Sequence, residues 1–129
     1  MPDVYDEAAL RHFKDAQLLE KSERLANADQ LYGFAAECAI KWVWPGLERS
    51  ACPHSHVNKL WDQARLSKME RKYPNLYAIL NMRNPFSDWS VDQRYEDDHV
   101  VSKESLVRHR DMAKRILGSV GLSGKSQDG

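Results

Sequence analysis

Apolar positions along the chain fall into five blocks of helical spacing, separated by polar or proline-bearing stretches. In DEAALRHFKDAQLLEKSERL, Ala9, Phe13, Ala16 and Leu19 recur at intervals of four, three and three residues, so they share one helix face while Lys and Glu take the other. The second block, NADQLYGFAAECAIKWVWPG, carries Ala28, Leu31, Ala35, Cys38, Ala39 and Trp42 at helical spacing, and its small side chains allow neighbours close. It is expected to be the most buried helix. Asn27 and Gln30 have the spacing of a capping box at its start. Pro45-Gly46 predicts its end, because proline supplies no N–H and disfavours helix in the residue before it.

The stretch SACPHSH is a loop by composition, and VNKLWDQARL then sets Val57, Leu60, Trp61 and Ala64 on one face of a short third helix. Pro74 suits the first position of a fourth helix, PNLYAILNMR, which Asn84-Pro85 should stop. In VSKESLVRHRDMAKRIL, Ser102 is a natural N-cap and Val101 can staple onto Leu106, ahead of a stripe of Leu106, His109, Ala113, Ile116 and Leu117 that Gly118 and Gly121 close. Neither a strand pattern nor an internal repeat is present. The expected fold is all-α, an up-and-down bundle of four to five helices spanning residues 1–118, with 119–129 a flexible polar tail.

Composition narrows the function classes. A chain of 129 residues is the size of one domain, and at this length folding buries roughly two thirds of the unfolded surface without help from metal or disulfide. Its 19 basic and 19 acidic side chains argue against a protein that grips long nucleic acid by bulk charge, while leaving room for a local basic face. Cys38 sits in a helical apolar stripe and suits a small buried hydrophobe better than half of a disulfide. No membrane-length apolar run occurs, and the opening MPDVYDEAAL is acidic where a signal peptide would be basic and then apolar, so a cytoplasmic protein without a membrane partner is expected. Cys52, His54 and His56 alternate in CPHSH, but zinc wants a fourth ligand or water from a wrapped backbone. No metal or other cofactor is expected; His56 more simply caps the third helix. Glu37 and Lys41 stand i,i+4 in the order that favours an ion pair, against the alternative of a nucleotide-phosphate contact by Lys41.

The candidate chemistry lies in DWSVDQRYEDDH, residues 88–99. Arg94 and His99 form R-x4-H in a polar segment, with Tyr95 beside them. Arginine is a permanent planar cation able to hold a phosphate in two places, and histidine moves protons near neutral pH. Together they are the tools for cutting RNA without metal. The structural alternative pairs Arg94 with Asp97 or Asp98 as a loop salt bridge. Trp89, in the same polar stretch, is the tryptophan expected to touch a ligand or a partner subunit, whereas Trp42, Trp44 and Trp61 read as core or interface anchors. Arg108, Arg110, Lys114 and Arg115 give the last helix a basic flank suited to an RNA backbone, or else a solvated face.

Taken together, ANADQLYGFAAECAIKWV, the His56 that precedes KLW, and DQRYEDDH ahead of a final amphipathic helix resemble the HEPN superfamily of small helical domains, over roughly Ala9 to Leu117. The Ala-Ala-Glu-Cys-Ala-Ile-Lys run is the most specific part. The resemblance implies a homodimer that brings the Arg-His motifs of two subunits into one cleft. It also implies metal-independent endoribonuclease activity of a toxin or defence type, or else nucleotide binding beside a nucleotidyltransferase-type antitoxin partner. The catalytic pair carries over as Arg94 and His99, with Tyr95, Trp89, Arg83, Arg110 and Lys114 as expected substrate contacts. Arg83-Asn84 also resembles the start of such a motif, with Asp88 where its histidine would stand. The rival expectation is a non-catalytic helical module that binds a nucleotide or a protein partner.

Overall fold

The structure, a computed structural model, describes residues 4–47, 53–65, 73–91 and 101–122. Five helices occur among them: α1 (Tyr5–Lys21), α2 (Leu25–Leu47), α3 (Val57–Arg65), α4 (Pro74–Leu80) and α5 (Lys103–Ser119). The fold is an all-α bundle. No helix among the described residues is long and apolar enough to cross a membrane.

The long α2 is the axle. It packs most extensively on α1, then on α5 and α3, while α4 bridges α3 and α5. Its alanines explain this: Ala26, Ala28, Ala35, Ala36 and Ala39 are all buried, and a surface of methyl groups lets neighbouring helices approach. Around it, the expected stripes of α3 (Val57, Leu60, Trp61, Ala64) and α5 (Leu106, His109, Ala113, Ile116, Leu117) are buried, as are Ala9, Phe13 and Ala16 on α1, whereas Leu19 of α1 and Leu31 and Cys38 of α2 are half-buried and Trp42, expected as an anchor, is exposed.

Several helix ends differ from the sequence expectation. α1 closes in a Schellman turn in which Arg24 N–H reaches the Leu19 carbonyl (2.9 Å) and Glu23 N–H reaches that of Glu20 (3.1 Å), with Glu23 in the left-handed region at φ 61°. The chain therefore re-enters helix at once: Ala28 N–H donates to the Arg24 carbonyl (2.9 Å), and Asn27 falls inside the first turn of α2 rather than capping it. Gln30 is turned away as well, donating from Nε2 to the Ser90 carbonyl. At the other end α2 runs to Leu47, so Pro45-Gly46, expected to end it, lies inside its last turn. α4 ends at Leu80, short of Asn84-Pro85, where Asn81 folds back and donates through both its backbone N–H (3.1 Å) and Nδ2 (3.0 Å) to the Tyr77 carbonyl. α5 begins as expected, with Ser102 Oγ accepting from Ser105 N–H at 3.1 Å and Val101 and Leu106 both in the core. It ends in a second Schellman turn, Leu122 N–H to the Leu117 carbonyl at 2.8 Å, this time with Gly121 in the left-handed position at φ 83°.

Candidate functional site

The segment between α4 and α5 begins as an ordered turn pressed onto α2 and α5. Phe86 and Trp89 are both buried there. The Trp89 ring lies directly over Gly33 of α2, where a Cβ would stand 2.2 Å from its Cε2 and Nε1, so only glycine leaves room. Its indole N–H donates to the Asp29 carbonyl (3.0 Å), and Phe34 meets it edge-on at 5.4 Å. The expectation that Trp89 is an exposed anchor for a ligand or partner is therefore corrected. With 1% exposure it is a core residue, placed there by a glycine on another helix, far back in the sequence.

One turn along α2, the Asp29 side chain starts a charged relay that crosses the bundle. Asp29 Oδ1 lies 2.6 Å from His109 Nδ1, and His109 Nε2 lies 2.8 Å from Asp88 Oδ1. Each ring nitrogen faces a carboxylate, so both must carry protons for both bonds to form, which makes His109 an imidazolium. Burial opposes that charge, but the bonds and negative charges of Asp29 and Asp88 outweigh it and raise the His109 pKa. Partial burial pushes Asp88 up, and the hydrogen bonds of His109 and Ser105 with the charge of Arg108 reverse this, leaving its pKa lowered. Arg108 and Ser105 bond the outer Asp88 oxygen, and the Phe86 ring stacks on His109 at 5.1 Å and 20°. Two carboxylates thus meet two cations with one aromatic lid. Asp88 is engaged by three donors, His109, Ser105 and Arg108, and the relay holds the 84–91 turn in place.

A second polar knot ties α2 to α3. Glu37, 6% exposed, accepts from the Val57 N–H (3.0 Å), faces His56 Nδ1 (3.2 Å) and pairs with Lys41 (3.1 Å). The expected Glu37–Lys41 ion pair is present. His56 stands at the N-cap of α3, its carbonyl accepting from Leu60 N–H (2.8 Å), while the side-chain oxygen that caps the Val57 N–H comes from Glu37. His54 is exposed beside it, Cys52 lies outside the described residues, and among those described no group of three metal-binding side chains forms.

Arg94, Tyr95 and His99 lie outside the described residues. Arg83 is exposed at the edge of a hollow of about 410 Å³ that it shares with Asn84, Ser87, Asp88 and Arg108. Arg110 and Lys114 line a different groove, of about 440 Å³, between α1 and α5. There Arg110 is already engaged by Glu20 (2.8 Å) and Asp111 (3.1 Å), and Glu20 in turn accepts the Tyr32 hydroxyl at 2.7 Å. Burial and that bond to Glu20 raise the Tyr32 pKa, keeping the phenol protonated. The expected substrate contacts are thus split between two surfaces.

Sequence reasoning missed Asp29 and misread Asp88, and it treated His109 as one more position of a stripe. A signal was available: a histidine on an otherwise apolar face must find polar partners when buried, and Asp29 sits one helical turn before the Gly33 face of α2. Comparison with family models, with curated proteins and with solved structures finds no match to this chain.

Proposed function

We propose that the chain is a HEPN-like homodimeric domain that binds RNA and cleaves it without metal, Arg94 stabilising the phosphate and His99 moving the proton. One observation carries the reading: two of the three sequence pieces on which the resemblance rests meet at a shared joint. Glu37, from the Ala-Ala-Glu-Cys-Ala-Ile-Lys run, binds His56 and the N–H of Val57 that opens the Lys-Leu-Trp helix. Further support comes from the flanks of the Arg-His segment. Arg94 follows three residues after Val91, which packs against the core, and His99 precedes by two residues the buried Val101. A turn pinned by Trp89 and the Asp29–His109–Asp88 relay leads into the segment, and a capped helix leads out of it.

In such a reaction His99 takes the ribose 2′-proton, the 2′-oxygen bonds to phosphorus, and the bond to the 5′-oxygen breaks as that oxygen is protonated. Arg94 stabilises the charge that builds on the phosphoryl oxygens. The product would carry a 2′,3′-cyclic phosphate. Two-fold pairing would supply a second histidine as the acid, and a toxin or defence role with a nucleotidyltransferase-type antidote fits that chemistry. The test is incubation of purified protein with total RNA in excess EDTA, alongside Arg94→Ala and His99→Ala, with light scattering for the dimer. Cleavage lost in both variants at unchanged helix content is the expected result. Intact RNA with the unaltered protein, or cleavage by the His99→Ala variant, overturns the catalytic reading in favour of a binding module.

A further inference from the structure

The groove between α1 and α5 is a lysine-lined feature that the Arg-His chemistry does not use. Lys103, Arg110 and Lys114 line it from one face of α5, at spacings of seven and four residues, and Lys21 and Gln17 line it from α1. Its two acids share one arginine: Glu20 is held by Tyr32 and Arg110, and Asp111 by Arg110. Among the described residues Lys21, Lys103 and Lys114 are exposed and carry no ion pair. Four cations, Lys21, Lys103, Arg110 and Lys114, thus face two carboxylates, Glu20 and Asp111, and the lining is net positive in a chain whose formal charge is zero.

We infer that this groove is a track for the sugar-phosphate backbone of single-stranded RNA, with Lys21, Lys103 and Lys114 as its phosphate contacts. The inference rests on the RNA-binding reading above and adds to it where the strand runs. The lysines of α5 are strung over about 16 Å of helix axis at the usual helical rise, so they suit a polyanion better than the convergent donors needed for a lone phosphate. Both aromatic residues of the groove, Phe13 and Tyr32, are buried, which leaves no ring for a base to stack on. Contact is made to the backbone and is tolerant of sequence.

The test is anisotropy of a labelled oligouridine strand bound to the full chain in the His99→Ala background, which keeps the strand uncut, over a series of salt concentrations. Each phosphate contact on a single strand contributes a slope of about 0.7 in log affinity against log salt, so Lys21→Ala/Lys103→Ala/Lys114→Ala should lower the slope by about 2. Each single variant should lower it by about 0.7, which keeps the test open should the triple variant misfold. A charge-matched control, Arg11→Ala/Lys59→Ala/Arg65→Ala, removes three exposed cations outside the groove and should leave the slope unchanged. Unchanged slopes in the groove variants, or an equal loss in the control, overturn the groove assignment while the RNA-binding reading stands. No binding by the unaltered groove at low salt removes both.

Discussion

Gly33→Ala sets two physical effects of opposite sign against each other. In an exposed helix interior alanine is the better residue, by about 0.5 to 1 kcal/mol, because glycine loses more backbone freedom on folding. Gly33 is interior to α2, so propensity alone says that the variant is more stable. The new methyl group would, however, sit 2.2 Å from Trp89 Cε2 and Nε1 and 2.6 Å from Cζ2, far inside contact distance, and these are atoms of a rigid ring. The ring has little room to withdraw. It is 1% exposed, tied at 3.0 Å to the Asp29 carbonyl and met edge-on by Phe34.

Overpacking of this kind costs about 1 to 3 kcal/mol when the surroundings shift, and loss of a core tryptophan costs about 3 to 5. A contact this short belongs to the upper part of the overpacking range, about 2 to 3 kcal/mol, so with the helix gain of about 0.5 to 1 set against either outcome Gly33→Ala should destabilise by about 1 to 4.5 kcal/mol. For a chain of this size that lowers Tm by about 4 °C per kcal/mol. Thermal and urea unfolding followed by circular dichroism measure it, and Trp89→Leu supplies the control. In the Trp89→Leu background the flexible, smaller side chain can step aside, so Gly33→Ala should become neutral or stabilising, a coupling of at least about 1 kcal/mol. A Gly33→Ala protein as stable as the unaltered one, or the same effect in both backgrounds, would refute the packing of Trp89 on α2.

His109→Gln removes a charge that two carboxylates hold in the interior, and it should cost about 3 to 5 kcal/mol by urea unfolding at neutral pH, as expected when one partner of a buried pair is lost. Because the folded pKa of His109 is raised, its contribution is complete below the unfolded value of about 6.5 and is lost as pH rises through the folded value. Asp88, whose pKa is lowered, contributes above about 3.9 and loses its share as pH falls through its folded value. Stability should thus decline on the alkaline side, and His109→Gln should flatten that decline; an unaltered alkaline limb would count against the relay. Glu23→Gly relieves a left-handed residue at the close of α1 and should raise stability by about 0.5 to 1 kcal/mol, whereas Gly121→Ala, at the matching position after α5, should lower it by a similar amount. Glu37→Ala strips the cap from α3 and leaves Lys41 unpaired at 12% side-chain exposure, a loss of about 2 to 4 kcal/mol with Glu37→Gln milder; equal stability of all three proteins would refute the α2–α3 joint.

The helix faces were legible because a period of 3.6 residues reports burial directly: every stripe residue assigned to α3 and α5 is buried. Helix ends were less so. Whether α2 starts at Asn27 or at Leu25 depends on whether Glu23 accepts a left-handed backbone, and no propensity favours a glutamate there. Trp89 was misread for a related reason. Its neighbours Asp88 and Ser90 are polar, so the local pattern says surface, while its burial is decided by a glycine on another helix. The Asp29–His109 contact spans eighty residues of chain, and nothing local to either residue announces the other. Periodicity shows which side of a helix faces inward and is silent on which polar atoms meet there.

That silence also bears on how the chemistry can be tested. Trp89 and His109 hold the turn that precedes the Arg-His segment, so substitutions at either would disturb fold and activity together and could not separate a catalytic role from a structural one. The bonds that fix the two flanks run from Trp89 to Asp29, from His109 to Asp88 and from Ser105 to Ser102, and none of them uses Arg94 or His99. Loss of cleavage at unchanged Tm in variants of that pair would therefore support the proposed roles of Arg94 and His99 with these bonds intact. The same partition applies to the groove: Lys103 and Lys114 project from a helix whose buried stripe is complete without them, so their removal reads the affinity for a strand and not the integrity of the bundle.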